Sequence, residues 1–292
     1  MQVVFHLGAP CTDHDLLLKT LIRNRDVLLD AGVAVPAPGR YRAVIRETSR
    51  ALKGQPAARE VEDALLDAIL GDAPRPDRLI LSDPRFVCIN RLVIQGPQIW
   101  PMIDRQAQQL RALFPDADVE FFIGMRDLAT LVPQLFRASR FSDFVEFTEN
   151  MQPHAVAWSE MLRRLTRSHP DCPVTVWCNE DTPLVWGEVL HAITATGPGL
   201  ALAGKDVLVE EIMDPAGFRR MQDYLRQRPP ATELQRRRIV AAFLSRYALE
   251  DRFEEEIVLP GWTEEVMEDL TRAYDEDMEL VARIPGVRLI TP

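Results

Sequence analysis

The sequence predicts a three-layer α/β fold: a mainly parallel sheet with helices on both faces and a helical C-terminal region. Short runs rich in Val, Ile and Phe alternate with longer amphipathic stretches, the pattern of strands joined by crossover helices. The 292 residues, 47% hydrophobic and 27% charged, suffice for one large core or two modest ones. No period of roughly 20 to 50 residues recurs, which excludes a solenoid.

Residues 3–7 read as the first strand, apolar on both faces except at His6, and therefore central and buried. A helix over 13–31, a turn at Pro36-Ala37-Pro38-Gly39 and a helical stretch over 57–70 lead to a second strand at 78–81, which makes this segment a crossover unit. Further strands are expected at 119–124, 174–177 and 287–290. Helices over 104–114, 129–140, 153–168 and 183–195 each begin or end near a proline or glycine. The stretch 197–261 is less regular, with helices over 215–227 and 232–249 around the breaker Arg228-Pro229-Pro230. Thr263 then N-caps an acidic helix, along which Tyr274, Met278 and Val281 recur as a core-facing stripe. Three segments result: a core over 1–196, a helical cap or insertion over 197–261, and a C-terminal helix and strand over 262–292 that return to the core.

A net charge of −10 argues against nucleic acid or an anionic membrane as the main partner. Cys11, Cys88, Cys172 and Cys178 form no Cys-x-x-Cys pair and have no histidine at zinc spacing, so neither a structural metal nor a disulfide framework is expected. There is no basic segment before the first apolar run and no apolar run of about 18 residues, so a cytoplasmic chain without membrane insertion is expected.

The opening run, Val3-Val4-Phe5-His6-Leu7-Gly8-Ala9-Pro10-Cys11-Thr12-Asp13-His14-Asp15, has the form of a strand, a loop and a helix start, where backbone N–H groups make an anion site. Asp13 suits the helix N-cap, and in that role its side chain fills the site itself. At about 4 Å and an effective dielectric near 20, Asp13 and Asp15 would each oppose a bound anion by roughly 4 kcal/mol. A neutral Cys11 thiol offsets none of this.

The run resembles the start of the P-loop sulfotransferases, in which His-x-Gly-x-x-Lys-Thr-Gly-Thr-Thr wraps the 5′-phosphosulfate of 3′-phosphoadenosine-5′-phosphosulfate. His6, Gly8, Pro10 and Thr12 match; Cys11 replaces the lysine, Asp13 the glycine, and His14 and Asp15 the threonines. Phe121-Phe122-Ile123-Gly124-Met125-Arg126-Asp127 resembles the strand end whose arginine, with a serine eight residues on, holds the 3′-phosphate; Arg126 matches and Gln134 takes the serine position. Residues 32–41, 174–181 and 286–290 resemble segments of bacterial members. The resemblance implies a P-loop-type sheet, cofactor contacts from Gly8, Cys11, Thr12, Asp13, Arg126 and Gln134, and Asp83 as general base, with His14 as the alternative. It implies a protein with a degenerate cofactor loop, without cofactor, in a non-catalytic binding or scaffold role for an unidentified protein or small-molecule acceptor. The alternative is an active sulfotransferase moving a sulfuryl group from 3′-phosphoadenosine-5′-phosphosulfate to a hydroxyl or amine, with Lys19 or an arginine of segment 40–46 supplying charge.

Each of these residues also has a structural reading. Asp83 before Pro84 suits a turn cap, Arg126 a strand-end ion pair with Asp127 or another acid, and His6 a satisfied core histidine. Pro133 is expected to disturb the helix around Gln134. Cys11 beside His14 at a helix start has the ingredients of a thiolate, opposed by Asp13 and Asp15. Arg236-Arg237-Arg238 with Arg226 and Arg228 reads as a solvated helix face or a patch for an acidic partner. A nucleotide kinase or NTPase ranks last, since the Walker lysine and a hydroxyl for Mg²⁺ are absent.

Overall fold

The computed structural model describes residues 1–197, 199–249 and 257–292. Its first half runs β1 (Gln2–His6), α1 (Leu16–Arg23), α2 (Arg25–Asp30), β2 (Val33–Ala34), α3 (Pro38–Leu52), α4 (Arg59–Leu70), β3 (Arg78–Ser82), β4 (Ile94–Gln95), β5 (Gln98–Ile99), α5 (Ile103–Arg111), β6 (Asp118–Met125) and α6 (Leu128–Arg137). The second half adds α7 (Phe144–Thr148), α8 (Trp158–Ser168), β7 (Val174–Cys178), α9 (Thr182–Thr194), α10 (Val207–Ile212), α11 (Pro215–Gln227), α12 (Glu233–Tyr247), α13 (Glu264–Val281) and β8 (Val287–Ile290).

Six of these strands form one parallel sheet in the order β2-β3-β1-β6-β7-β8, while β4 and β5 make a separate antiparallel pair. All five strands expected from the sequence are present in the sheet, and β1 is interior, paired on one side with β3 and on the other with β6. Alternation along β1 sends Val3 and Phe5, with Leu7 just beyond, into one core and Val4 into the other. The first core is closed by residues of α3, α4, α5, α6, α8 and α13, the second by residues of α1, α2 and α9. Covering both faces is what an all-parallel sheet requires. Among the described residues no helix is long and apolar enough to cross a membrane.

The C-terminal region is helical. A small third core joins Val209 and Met213 to Phe218 and Met221 of α11 and Val240 of α12. A Cβ at Gly217 would collide with the Tyr247 side chain, so glycine permits the close approach of α11 to α12. Residue 198 and residues 250–256 of the segment 197–261 lie outside the described residues. Helix α13 starts at the expected Thr263, whose side chain accepts the Val266 N–H at 3.3 Å, and it buries Leu270, Tyr274 and Val281 with Met278 packed alongside.

Several elements differ from the sequence reading. The helix expected over 13–31 begins only at Leu16 and breaks at Asn24. The buried Asn24 amide donates to Thr20 O at 2.8 Å and Ala203 O at 3.0 Å, while its Oδ1 accepts the Ala203 N–H at 2.7 Å, so a distant loop fixes the break. The turn at 36–39 opens α3, which the reading does not contain. Pro38 lies in its first turn, where a missing N–H costs nothing. The sequence also gives no signal for strand β2, the β4–β5 pair, α7 or α10; the three strands have two residues each and carry no period to read. Helix α6 tolerates Pro133 because the Trp262 indole N–H donates to the Ala129 carbonyl at 2.9 Å, the acceptor that Pro133 leaves without its helical partner. Finally, Arg236 pairs with Asp206, and Arg237 with Glu188 and the Thr291 carbonyl. These two arginines clamp α12 to its neighbours and do not form a solvated face.

Candidate functional site

In an open parallel sheet, loops at the carboxyl ends of the strands converge, and ligands bind there. Here β1 and β3 end in register at His6 and Ser82, with Phe122 of β6 on the other side of His6. The chain leaving β1 follows β6 for three more residues, through Leu7 N–H to Phe122 O at 2.9 Å and Ala9 N–H to Gly124 O at 3.2 Å. It then turns tightly. Gly8 has φ +46°, and a Cβ there would press within 3.3 Å of the His6 ring. Cys11, His14 and Asp15 also lie at positive φ, 64°, 48° and 63°, a conformation that costs each of these side chains energy. The Thr12 hydroxyl closes the turn by donating to Ala9 O at 2.7 Å.

Asp13 fills the helix start. Its backbone carbonyl accepts the Leu16 N–H at 2.7 Å, and its carboxylate accepts the Leu17 N–H at 2.9 Å. The residue in the formal N-cap position is Asp15, whose side chain makes no cap bond, so the expected N-cap at Asp13 is displaced by two residues while the side chain still serves the helix. Asp15 turns instead to Arg42 of α3, with Nη2 at 2.7 Å from Oδ1. The Arg42 guanidinium also donates to Ser82 O from Nε at 3.0 Å and Nη2 at 2.9 Å, and Nε stands 3.7 Å from Asp83. The neighbouring Tyr41 hydroxyl bonds Ser82 twice, donating to its carbonyl at 2.6 Å and accepting its N–H at 3.0 Å; burial pushes this phenol up to about 12.

Asp83 is buried and adopts the turn role, its Oδ1 accepting the Arg85 N–H at 3.0 Å, with Arg42 and Arg85 as ionic neighbours. His14 sits exposed at the loop tip, where its carbonyl accepts from Lys19 Nζ at 3.3 Å, and it shares no hydrogen bond or ion pair with Asp83. His6 is buried, with Nδ1 2.9 Å from Ser82 Oγ and its ring stacked on Trp177 at 5.8 Å. Burial lowers its pKa below the usual histidine value, against the opposing pull of Asp13 and Asp15, which makes it the neutral core histidine.

Arg126 reaches back to the loop: Nη1 donates to the Cys11 carbonyl, and Nε to Thr130 Oγ1 at 2.9 Å. Its partners are thus neutral oxygens. Asp127 instead caps α6, its carboxylate accepting from the Ala129 N–H and the Thr271 hydroxyl. Gln134 lies one helical turn beyond Thr130 on α6. The Cys11 thiol is pushed up chiefly by burial, with Arg126 opposing, so desolvation more than the nearby aspartates keeps it from being a thiolate.

The structure therefore gathers Gly8, Cys11, Thr12, Asp13 and Arg126 around one loop, with His14 exposed at its tip. Arg42, Tyr41 and Ser82 complete the constellation. Arg42 was foreseeable only as one of the arginines in segment 40–46. Among the described residues no group of His, Cys, Asp and Glu is arranged to hold a metal ion. Comparison with family models, with curated proteins and with solved structures gives no match.

Proposed function

We propose that this chain is a sulfotransferase-like protein whose cofactor loop is closed by its own side chains and which serves as a non-catalytic binding or scaffold protein. The observation that carries this reading is the Asp13 carboxylate on the Leu17 N–H at 2.9 Å, which places a negative charge where the loop would otherwise offer an amide to an anion. Asp15 adds a second carboxylate, and the cation nearest it, Arg42, is already engaged.

A second reading, an active sulfotransferase, draws support from Arg42. It comes from the segment expected to supply the missing charge and it stands between Asp15 on the loop and Asp83, the expected base. Release of Asp15 would leave its guanidinium beside the loop.

Calorimetric titration with 3′-phosphoadenosine-5′-phosphate separates the two. The closed loop gives no micromolar binding; micromolar binding that is lost in Arg42→Ala overturns it in favour of the active enzyme. Cys11→Lys combined with Asp13→Gly and Asp15→Thr returns a cation and frees the Leu17 N–H, and is expected to create affinity at a cost of about 1 kcal/mol in stability. Arg126→Ala in that background then weakens binding by about 1.5–3 kcal/mol. A triple variant that folds and still ignores the nucleotide shows that the loop is no latent phosphosulfate site.

A further inference from the structure

Beside the loop, on the other side of Asp83, lies a cavity of about 560 Å³ between α3, α5 and the segment joining β3 to α5. This is within the size range of small-molecule sites. Five arginines line it, Arg42, Arg46, Arg50, Arg85 and Arg105, against a single carboxylate, Asp83. The first three recur every fourth residue along α3, which puts them on one helix face. Asp83 is matched by its ion pairs with Arg42 and Arg85. Arg46, Arg50 and Arg105 have no ion-pair or hydrogen-bond partner among the described residues. Some surface arginines elsewhere are neutralised locally, such as Arg75 by Asp63 and Asp67 and Arg272 by Asp269. These three guanidiniums, without a partner among the described residues, converge on one concavity in a chain of net charge −10. The floor is apolar: Ile45, Trp100 and Leu110 are buried there. Trp100 has its indole N–H buried beneath that floor without an acceptor among the described residues. Its backbone is held at φ +46°, and its carbonyl is fixed by Arg164.

We propose that this cavity binds a small organic anion bearing two or more acidic groups on an apolar or aromatic body. The guanidiniums supply planar, forked donors for carboxylate, sulfonate or phosphate oxygens. The apolar floor receives the body. The site stands on residues outside the loop of 8–15, and its test uses no nucleotide.

The probes are benzene-1,3-disulfonate and its uncharged counterpart benzene-1,3-dimethanol, titrated calorimetrically into the full chain. The disulfonate is expected to bind at one site per chain, at least about tenfold more tightly than the diol, and more weakly as salt rises, because the rim charges are solvent-exposed. Arg46 and Arg50 are exposed, so Arg46→Gln with Arg50→Gln leaves the fold intact, checked by an unchanged thermal midpoint, and lowers affinity for the disulfonate by about tenfold or more. Arg105→Gln, from the opposite wall, lowers it independently. Absence of disulfonate binding at millimolar concentration, equal binding of the diol, or affinity unchanged in both variants overturns the proposal.

Discussion

The guanidinium of Arg42 and the carboxylate of Asp15 meet at 2.7 Å, and through this pair α3 is tied to the loop that follows β1. The same guanidinium holds the Ser82 carbonyl at the end of β3 and faces the buried Asp83. One side chain thus locks three chain segments at the carboxyl end of the sheet.

Arg42→Ala is expected to destabilise the protein by on the order of 2 kcal/mol, because it leaves Asp83 buried with one exposed arginine and strips the Ser82 carbonyl of two donors. Arg42→Lys recovers only part of this, since one ammonium cannot span Ser82, Asp15 and Asp83 together. Urea denaturation measures both; an Arg42→Ala protein within about 0.5 kcal/mol of the parent would remove Arg42 from this role.

His6 gives stability a pH dependence of known sign. Burial lowers its pKa, so the folded state binds fewer protons than the unfolded chain, whose histidine titrates near 6.5. The contribution is complete above that value and is lost as pH falls through it toward the lowered folded value. His169 and His191 are lowered by burial too and remain in His6→Gln, so the difference between the two proteins isolates His6. Denaturation between about pH 7 and pH 5 should show the parent losing stability faster, by at most about 1.4 kcal/mol per pH unit. Equal slopes would mean that His6 titrates normally in the fold.

Trp262 and Pro133 form a third test. Trp262→Phe leaves the buried Ala129 carbonyl without a donor and should cost about 1–3 kcal/mol. Pro133→Ala restores a backbone N–H one turn beyond Ala129, and in that background the same Trp262 change should cost less. A double-mutant cycle with coupling above about 0.5 kcal/mol is the expected result, and simple additivity contradicts it.

Local burial patterns determined much of this protein in advance. Short apolar runs marked all five longer strands of the sheet, and a run at β1 apolar on both faces except at His6 placed it in the interior. Proline and the Arg228-Pro229-Pro230 breaker bounded α11, Thr263 marked the start of α13, and Asp13 was legible as a side chain serving a helix start. Such signals sit within one turn or one strand, where the sequence dictates geometry directly. Only the tertiary structure decided the rest. Asn24 breaks the first helix through Ala203, 179 residues away, and Arg42 meets Asp15 across 27 residues. The partners of Arg236 and Arg237, and the convergence of α3 and α5 arginines on one cavity, follow from the order in which strands assemble. Charged side chains are long and find partners by proximity in space. Their pairing is therefore fixed by topology, which periodicity along the chain does not encode.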